Sequence, residues 1–386
     1  MSHGLLYSAL KSIKPLRTLV RRLRSIWERY RLDAWVLEGA ERTSGERVRV
    51  MFVGQIENCN YVMRVVFGEN SIAVQPRKIW NHSAWKLLET SKSAYGLIFI
   101  QTNKTIPNFT HGRACYVIPS WIAGELDVKQ ALESPRTSTS VKRDIRHIRS
   151  SRFEYRTTRD PFVFERFISD MYLPYIRQTH GEGAVVATLD DFKEEADKGA
   201  ELLLVDHDSK SVAGVLLGLD NLERMDALVL GVLDGDQNLV KAGAIAAIYY
   251  FSLLHAQKRG YQKLFLGGAR PFLNDGPFQY KKKWGLRITG RLSTMPDVRV
   301  LQPNPSFAAV QSFLRNNPFI FECDNKFRAA VFAGVDEVLN EESVERLRKA
   351  HDLPGIAGFT VFRLTSKMDP QIALSNSSPS VSETSL

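Results

Sequence analysis

Residues 234–268 read "DGDQNLVKAGAIAAIYYFSLLHAQKRGYQKLFLGG". Their reading decides the fold. Asp234-Gly235-Asp236-Gln237-Asn238 is turn and N-cap chemistry ahead of a helix. Residues 238–259 then form a long apolar segment, which predicts a buried helix that Gly260 ends. Lys263 to Leu266 follows as an apolar strand. The first turn of that helix, Val240-Lys241-Ala242-Gly243-Ala244, is built of small residues, with Ala246 and Ala247 beyond. Small side chains leave the amides of a helix N-terminus uncovered, and bare amides attract anions. A pyrophosphate fits there, with Lys241 adding a charge. Tight packing against a sheet explains the same residues without a ligand.

Outward from this segment the order stays regular. A helix at 189–198 leads to strands at 201–205, 212–219 and 226–233, joined by the turns "DHDSKS" and "NLERM". On the far side lies "GGARPFLNDGPFQYKKKWG" (267–285). It places two glycines and an Arg-Pro at a strand end. A short helix after Asn274-Asp275-Gly276 then carries Tyr280 and three lysines, and Gly285 ends it. Strand Leu286 to Thr289 follows. The order over 189–289 is helix, three meandering strands, buried helix, strand, helix, strand.

Upstream, "SPRTSTS" (134–140) reads as a linker. Arg143, Arg146 and Arg149 share roughly one face of the helix after it, either solvated or facing an anion. An aromatic helix over 162–175 is expected to end near Pro174. "RQTHGEG" (177–183) then forms a loop that holds His180.

Residues 33–134 read as a further α/β lobe, with strands Val48 to Val53, Ser71 to Val74 and Tyr95 to Ile100 and helices near 57–66 and 82–91. No Gly-rich phosphate loop follows Gly54-Gln55-Ile56. Residues 301–365 hold a helix (306–315), strands near 318–322 and 327–334, a helix (341–350) and a strand (358–364). They form a third α/β segment or complete the first lobe. The tail from Ser366 to Leu386, with seven serines, is expected to be disordered.

The chain has 386 residues, 44% hydrophobic and 24% charged, enough for two or three globular domains. No apolar run reaches the ~18 residues that span a bilayer. The longest, Ala242 to Ala256, is broken by Ser252 and His255. No secretory signal is visible. Cys59, Cys115 and Cys323 are far apart and suggest neither disulfides nor zinc. The Asn-x-Ser/Thr triplets at Asn81, Asn103 and Asn108 are chance matches in a cytosolic chain. The net charge is +10, of which residues 1–31 carry +7 from eight Lys/Arg and one Glu. Leu16, Leu19, Val20, Leu23, Ile26, Trp27 and Tyr30 recur at helical spacing in that arm. Such a helix suits an anionic membrane surface, or it packs on the body with its arginines in water.

The segments "VKRDIRHIR", "YLPYIRQTHG", "LGVLDGD", "VKAGAIAAIYYF" and "GGARPFLNDGPFQYKKKWG" resemble the GNAT acyltransferase superfamily, and within it the Fem-like branch. The resemblance covers roughly 140–290. Val240–Ala244 matches part of the GNAT pyrophosphate loop. Asn274, Tyr280 and Gly285 follow the family's order after its fifth strand, with Tyr280 about one residue early.

The resemblance implies acyl transfer from acyl-CoA to an amine or hydroxyl. The pyrophosphate would rest on Lys241, Ala242, Gly243 and Ala244. The pantetheine arm would lie along strand 226–233, where a main-chain N–H at Val232 or Leu233 would stabilise the oxyanion. His180 is the candidate base and Tyr280 the candidate acid. Arg270, Asn274 and Lys281 are candidates for the acceptor. Their ordinary alternatives are a surface-loop histidine, a packed tyrosine, a salt bridge from Arg270 to Asp275 or another acid, and solvated lysines. No metal is expected. Asp234 and Asp236 resemble a metal-holding Asp-x-Asp, but the meander before them does not suit a nucleotide-binding unit.

The expectation is therefore an α/β (α+β) chain with a GNAT-like mixed sheet and flanking helices. It comprises a basic helix (1–32), an N-terminal lobe (33–134), an acyltransferase domain (135–300), a C-terminal segment (301–365) and a tail. It is cytoplasmic or peripheral at the inner membrane face, with a small or lipid-linked acceptor. The alternatives are aminoacyl-tRNA as donor and a non-catalytic GNAT-like scaffold.

Overall fold

A computed structural model of the chain describes residues 31–68, 71–73, 77–80, 94–102, 115–133, 138–180, 186–292, 298–334, 337, 339–351, 353–364 and 373–375. The fold is mixed α/β with flanking helices, as the sequence predicts. The chain divides into two compact units. One takes the described residues of 1–117, 297–314 and 364–368. The other takes those of 118–296, 315–363 and 369–386.

In the first unit, strands run in the order Val298–Pro303, Leu97–Thr102, Arg47–Gly54, Arg31–Ala40, Ser71–Ala73. Arg47–Gly54 and Leu97–Thr102 are parallel, and Arg31–Ala40 and Arg47–Gly54 antiparallel. Val50, Phe52, Leu97 and Phe99 are fully buried. The helix Ile56–Phe67 follows directly after Gly54. Strand Arg31–Ala40 takes the last two residues of the expected basic helix (1–32); residues 1–30 of that arm lie outside the described residues, as do the helix at 82–91 and linker residues 134–137.

The second unit holds the site. Among the described residues its sheet has seven strands: β1 (Ile122–Asp127), β2 (Glu154–Thr158), β3 (Glu201–His207), β4 (Lys210–Gly218), β5 (Arg224–Val232), β6 (Lys263–Ala269) and β7 (Arg287–Arg291). Their order is β7-β1-β6-β5-β4-β3-β2. The meander β2 to β5 is antiparallel, and β5 and β6 are parallel. Asp208 and Ser209 turn β3 into β4 with φ of 49° and 63°, the two left-handed residues of a type I′ hairpin. β1 comes from outside the 135–300 stretch and inserts antiparallel between β6 and β7. A second run, Ala373–Ser375, Gly358–Arg363, Lys326–Ala333 and Phe319–Cys323, completes the unit. Ala373–Ser375 pairs with Gly358–Thr360, so part of the serine-rich tail is ordered by the edge it meets.

Two helices differ from expectation. The aromatic helix does not end near Pro174. Pro161–Phe167 passes through a π turn, Ile168–Tyr172, into Leu173–His180. The wide turn lies just ahead of the proline, and such local adjustment lets the chain pass a residue with no N–H. The long helix at 238–259 is two helices, Gln237–Ala242 and Ala244–Lys258. Gly243 lies between them at φ +105°, a left-handed geometry that breaks the helix. Its N–H caps the first helix on Leu239 and Val240, and its carbonyl accepts from Ala247 at 2.8 Å to start the second.

Candidate functional site: a wedge between two parallel strands

β5 and β6 pair only at Arg224–Lys263, Met225–Leu264 and Asp226–Phe265 among the described pairings. Beyond that point β5 continues to Val232 and β6 to Ala269 without meeting. Each strand carries a bulge there. Leu216 faces Val229 and Leu217 faces Ala227, so Leu228 is the extra residue on β5. Phe265 faces Glu125 and Gly268 faces Ala123, so Leu266 and Gly267 are the bulge on β6. Gly267 has φ +70°, the conformation that a bulge glycine supplies without strain. A bulge bends its strand, and the two together accompany the opening of a wedge. The edge of Ala227–Val232 that faces β6 is left without strand pairing, as a template for an extended ligand.

A cavity of about 70 Å³ occupies the wedge. Val215 of β4, Ala227–Leu230 of β5 and Leu266 of β6 form its walls. Ile248, Tyr249 and Ser252 close it from the Ala244–Lys258 helix. The Ser252 hydroxyl is buried and makes no hydrogen bond among the described residues. Past the wedge, β5 packs against the π turn. A Cβ on Gly231 would lie 2.5 Å from the Met171 carbonyl carbon and the Tyr172 nitrogen, so only glycine allows this backbone contact.

β5 leads into the turn Leu233–Gly235, where Asp234 is left-handed at φ 53°. The Asp236 carboxylate accepts from the Asn238 N–H at 2.7 Å and caps Gln237–Ala242. Asp234 and Asp236 thus do turn and N-cap work. Val232 is fully buried, and Lys241 lies exposed in the last turn of Gln237–Ala242. Ala242 carries a half-buried side chain, and its carbonyl accepts from the Ser151 hydroxyl at 3.2 Å. Gly243 and the buried Ala244 open the second helix.

The three lysines of Gly276–Lys283 leave the helix about 100° apart and go three ways. Lys281 is buried and donates to the Gly268 carbonyl at 2.7 Å and the Gly267 carbonyl at 3.4 Å. Burial pushes its ammonium down to about 8, against the pull of Asp275. Lys282 donates to the Ala350 carbonyl at 2.5 Å. Lys283 pairs with Asp144 at 2.5 Å and lies 4.0 Å from the centre of the Tyr280 ring. Tyr280 packs edge-on against Tyr249, a wall of the cavity. Burial, and then the charge of Asp144, raise its phenol pKa, so the hydroxyl stays protonated at neutral pH.

The remaining candidates are spread around the wedge. His180 ends the Leu173–His180 helix rather than sitting in a loop, and its side chain lies outside the described residues. The Arg270 guanidinium lies 3.9 Å from the Trp121 ring centre and donates to the Ser120 carbonyl at 3.5 Å. Asn274 donates to the Asn316 carbonyl at 2.6 Å, while Asp275 caps the short helix. Arg143, Arg146 and Arg149 are exposed, opposite the buried Val141, Ile145 and Ile148. Among the described residues no group of three His, Cys, Asp or Glu could hold a metal, and no helix is long and apolar enough to cross a membrane.

Sequence reasoning did not find one polar cluster. Glu201, at the start of β3, takes His255 at 3.1 Å, Arg159 at 3.0 Å and Arg259. Burial alone would raise the Glu201 pKa. The bond and charge of Arg259, the bond from His255 and the charge of Arg159 outweigh it and hold the carboxyl low. Burial lowers the His255 pKa against the pull of Glu201.

No protein-family model matches the chain, and no curated protein matches it. Solved structures do. The L-PGS structure from Bacillus licheniformis aligns at 9% identity over 69% of this chain and 84% of that one, with a TM-score of 0.37. The C-terminal domain (DUF2156) of a putative lysylphosphatidylglycerol synthetase from Agrobacterium fabrum aligns at 11% over 72% and 83%, TM-score 0.34. A GNAT family acetyltransferase from Elizabethkingia anophelis with acetyl-CoA bound aligns at 13% over 39% and 97%, TM-score 0.26.

Proposed function

We propose that the second unit is a GNAT-type acyltransferase that takes an acyl thioester into the wedge between β5 and β6. One observation carries this reading: two parallel strands part after three residue pairs, and a cavity lies where they part. An acyl-CoA arm is extended and amide-bearing. It would add to the unpaired edge of Ala227–Val232 as a strand does, by main-chain hydrogen bonds. The pyrophosphate would sit at Lys241, Ala242, Gly243 and Ala244, where a helix N-terminus follows a left-handed glycine.

The reaction is direct. The acceptor's nitrogen or oxygen attacks the thioester carbonyl, and a carbon–nitrogen or carbon–oxygen bond forms. The carbon–sulfur bond breaks from a tetrahedral intermediate. A main-chain N–H at Val232 or Leu233 would hold the oxyanion. The acceptor's proton would pass to a base, His180 in this reading, and the departing sulfur would receive one from Tyr280. Burial and the charge of Asp144 keep that proton on the Tyr280 phenol at neutral pH. Membership of the Fem-like branch rests on the sequence segments, and a membrane-proximal acceptor rests on the basic arm.

Calorimetric titration with acetyl-CoA and longer acyl-CoAs tests the reading. One thioester per chain should bind; no binding by any thioester would sink it. A second reading, with aminoacyl-tRNA as donor, draws on the exposed face of Arg143, Arg146 and Arg149. It requires affinity for tRNA that falls steeply with salt and weakens when these arginines become glutamine.

A further inference from the structure

Ser252 stands midway along the Ala244–Lys258 helix, three residues before the buried His255. It is 1% exposed, and its hydroxyl has no hydrogen-bond partner among the described residues. Buried hydroxyls are normally satisfied, and an orphan calls for an explanation. This one lines the wedge cavity, where Val215, Leu228, Leu230, Ile248 and Leu266 supply carbon walls. A volume of about 70 Å³ holds several water-sized groups, on the order of five at the ~10–15 Å³ that one requires. The cavity therefore suits a short chain of a few heavy atoms that carries a hydrogen-bonding group to meet Ser252, with Tyr249 and the main chain of Ala227–Leu230 also on its walls.

We infer that this cavity selects the acyl group, and that Ser252 reads a hydroxyl on a short acyl chain. The inference rests on the acyltransferase reading and names its donor class: a short hydroxyacyl thioester rather than a plain alkanoyl one. Apolar pockets discriminate weakly between chains that differ by a methylene. A site built to bond a hydroxyl rejects the analogue that lacks it more strongly, because its own polar group is then left unpaired. The walls also exclude long chains by volume. Ser252 binds and does not move a proton, so the chemistry at the thioester is unchanged by it.

The test is calorimetric titration of acetyl-, butyryl- and β-hydroxybutyryl-CoA into the wild-type chain and Ser252→Ala. In the wild type, β-hydroxybutyryl-CoA should bind about three- to tenfold more tightly than butyryl-CoA, the scale of one added hydrogen bond. In Ser252→Ala that preference should vanish while butyryl-CoA keeps its affinity. Ser252→Cys, close in size and a poor hydrogen-bonder, gives the same readout should the alanine variant lose structure. Equal affinities in the wild type, or a preference that survives both variants, would overturn the inference and leave the transferase reading in place. Binding of no thioester at all would end both.

Discussion

Lys281 places its Nζ 2.7 Å from the carbonyl oxygen of Gly268, on the strand that bends away from β5. A lysine here spends its donors on main chain at the wedge rather than on solvent. Its ordinary pKa of 10.5 falls to about 8 through burial. Between these values the unfolded chain binds more protons than the folded one, so stability rises with pH across that window. The cost of the buried charge is fully present below pH 8 and gone above 10.5. Wild-type stability relative to Lys281→Met should therefore climb by on the order of 3 kcal/mol between pH 8 and 10.5. Urea unfolding of both chains at several pH values measures it; parallel curves would rule the burial out.

Glu201 gives the opposite slope. Its pKa is held low in the fold, so its contribution is full above the unfolded value near 4.3 and is lost as pH falls. Glu201→Gln should flatten the acid side of the stability profile and leave the alkaline side unchanged. Acid unfolding followed by circular dichroism reads this. An acid limb identical to wild type would refute the assignment.

Gly231→Ala should destabilise the second unit by about 1–3 kcal/mol, because its Cβ meets the backbone of Met171 and Tyr172. Neither neighbour is a flexible side-chain end, so little relief is available. A melting temperature equal to wild type would show that β5 and the π turn are not in backbone contact.

Gly243→Ala acts differently. The nearest atom to the new Cβ is 3.5 Å away, an ordinary contact, so the effect comes from φ +105° alone. A cost of about 1–2 kcal/mol is expected. Under the proposed function, acyl-CoA affinity falls with it, since Gly243 sets the start of the Ala244–Lys258 helix. Retained affinity in a folded variant would move the pyrophosphate elsewhere.

Much of this architecture is legible in the residues. Alternating and continuous apolar runs place β3, β4 and β5, and Asp208-Ser209 marks the turn between the first two. The breaks are harder to read. Gly243 looks like one more small residue in an alanine-rich helix until its positive φ is known. Pro174 looks like a stop because the π turn that accommodates it leaves no sequence mark. β1 belongs to the sheet only through pairing between residues far apart in the chain, which local patterns do not record. Of the candidate site, the helix start at Gly243 and the inward lysine have signals. Ser252 has only a faint one: a single hydroxyl that interrupts an apolar run. The cluster around Glu201 assembles from residues 42 to 58 positions away from it, each ordinary alone.

The central claim is that a thioester arm completes the sheet edge that β6 leaves open. Hydrogen exchange with and without saturating acetyl-CoA tests it most directly. The account predicts new protection at the β6-facing amides of Ala227–Val232 and at the amides of Ala244–Ala246, with little change elsewhere in the sheet. Exchange unchanged at those amides under saturating acetyl-CoA, or protection confined to another surface, would contradict it.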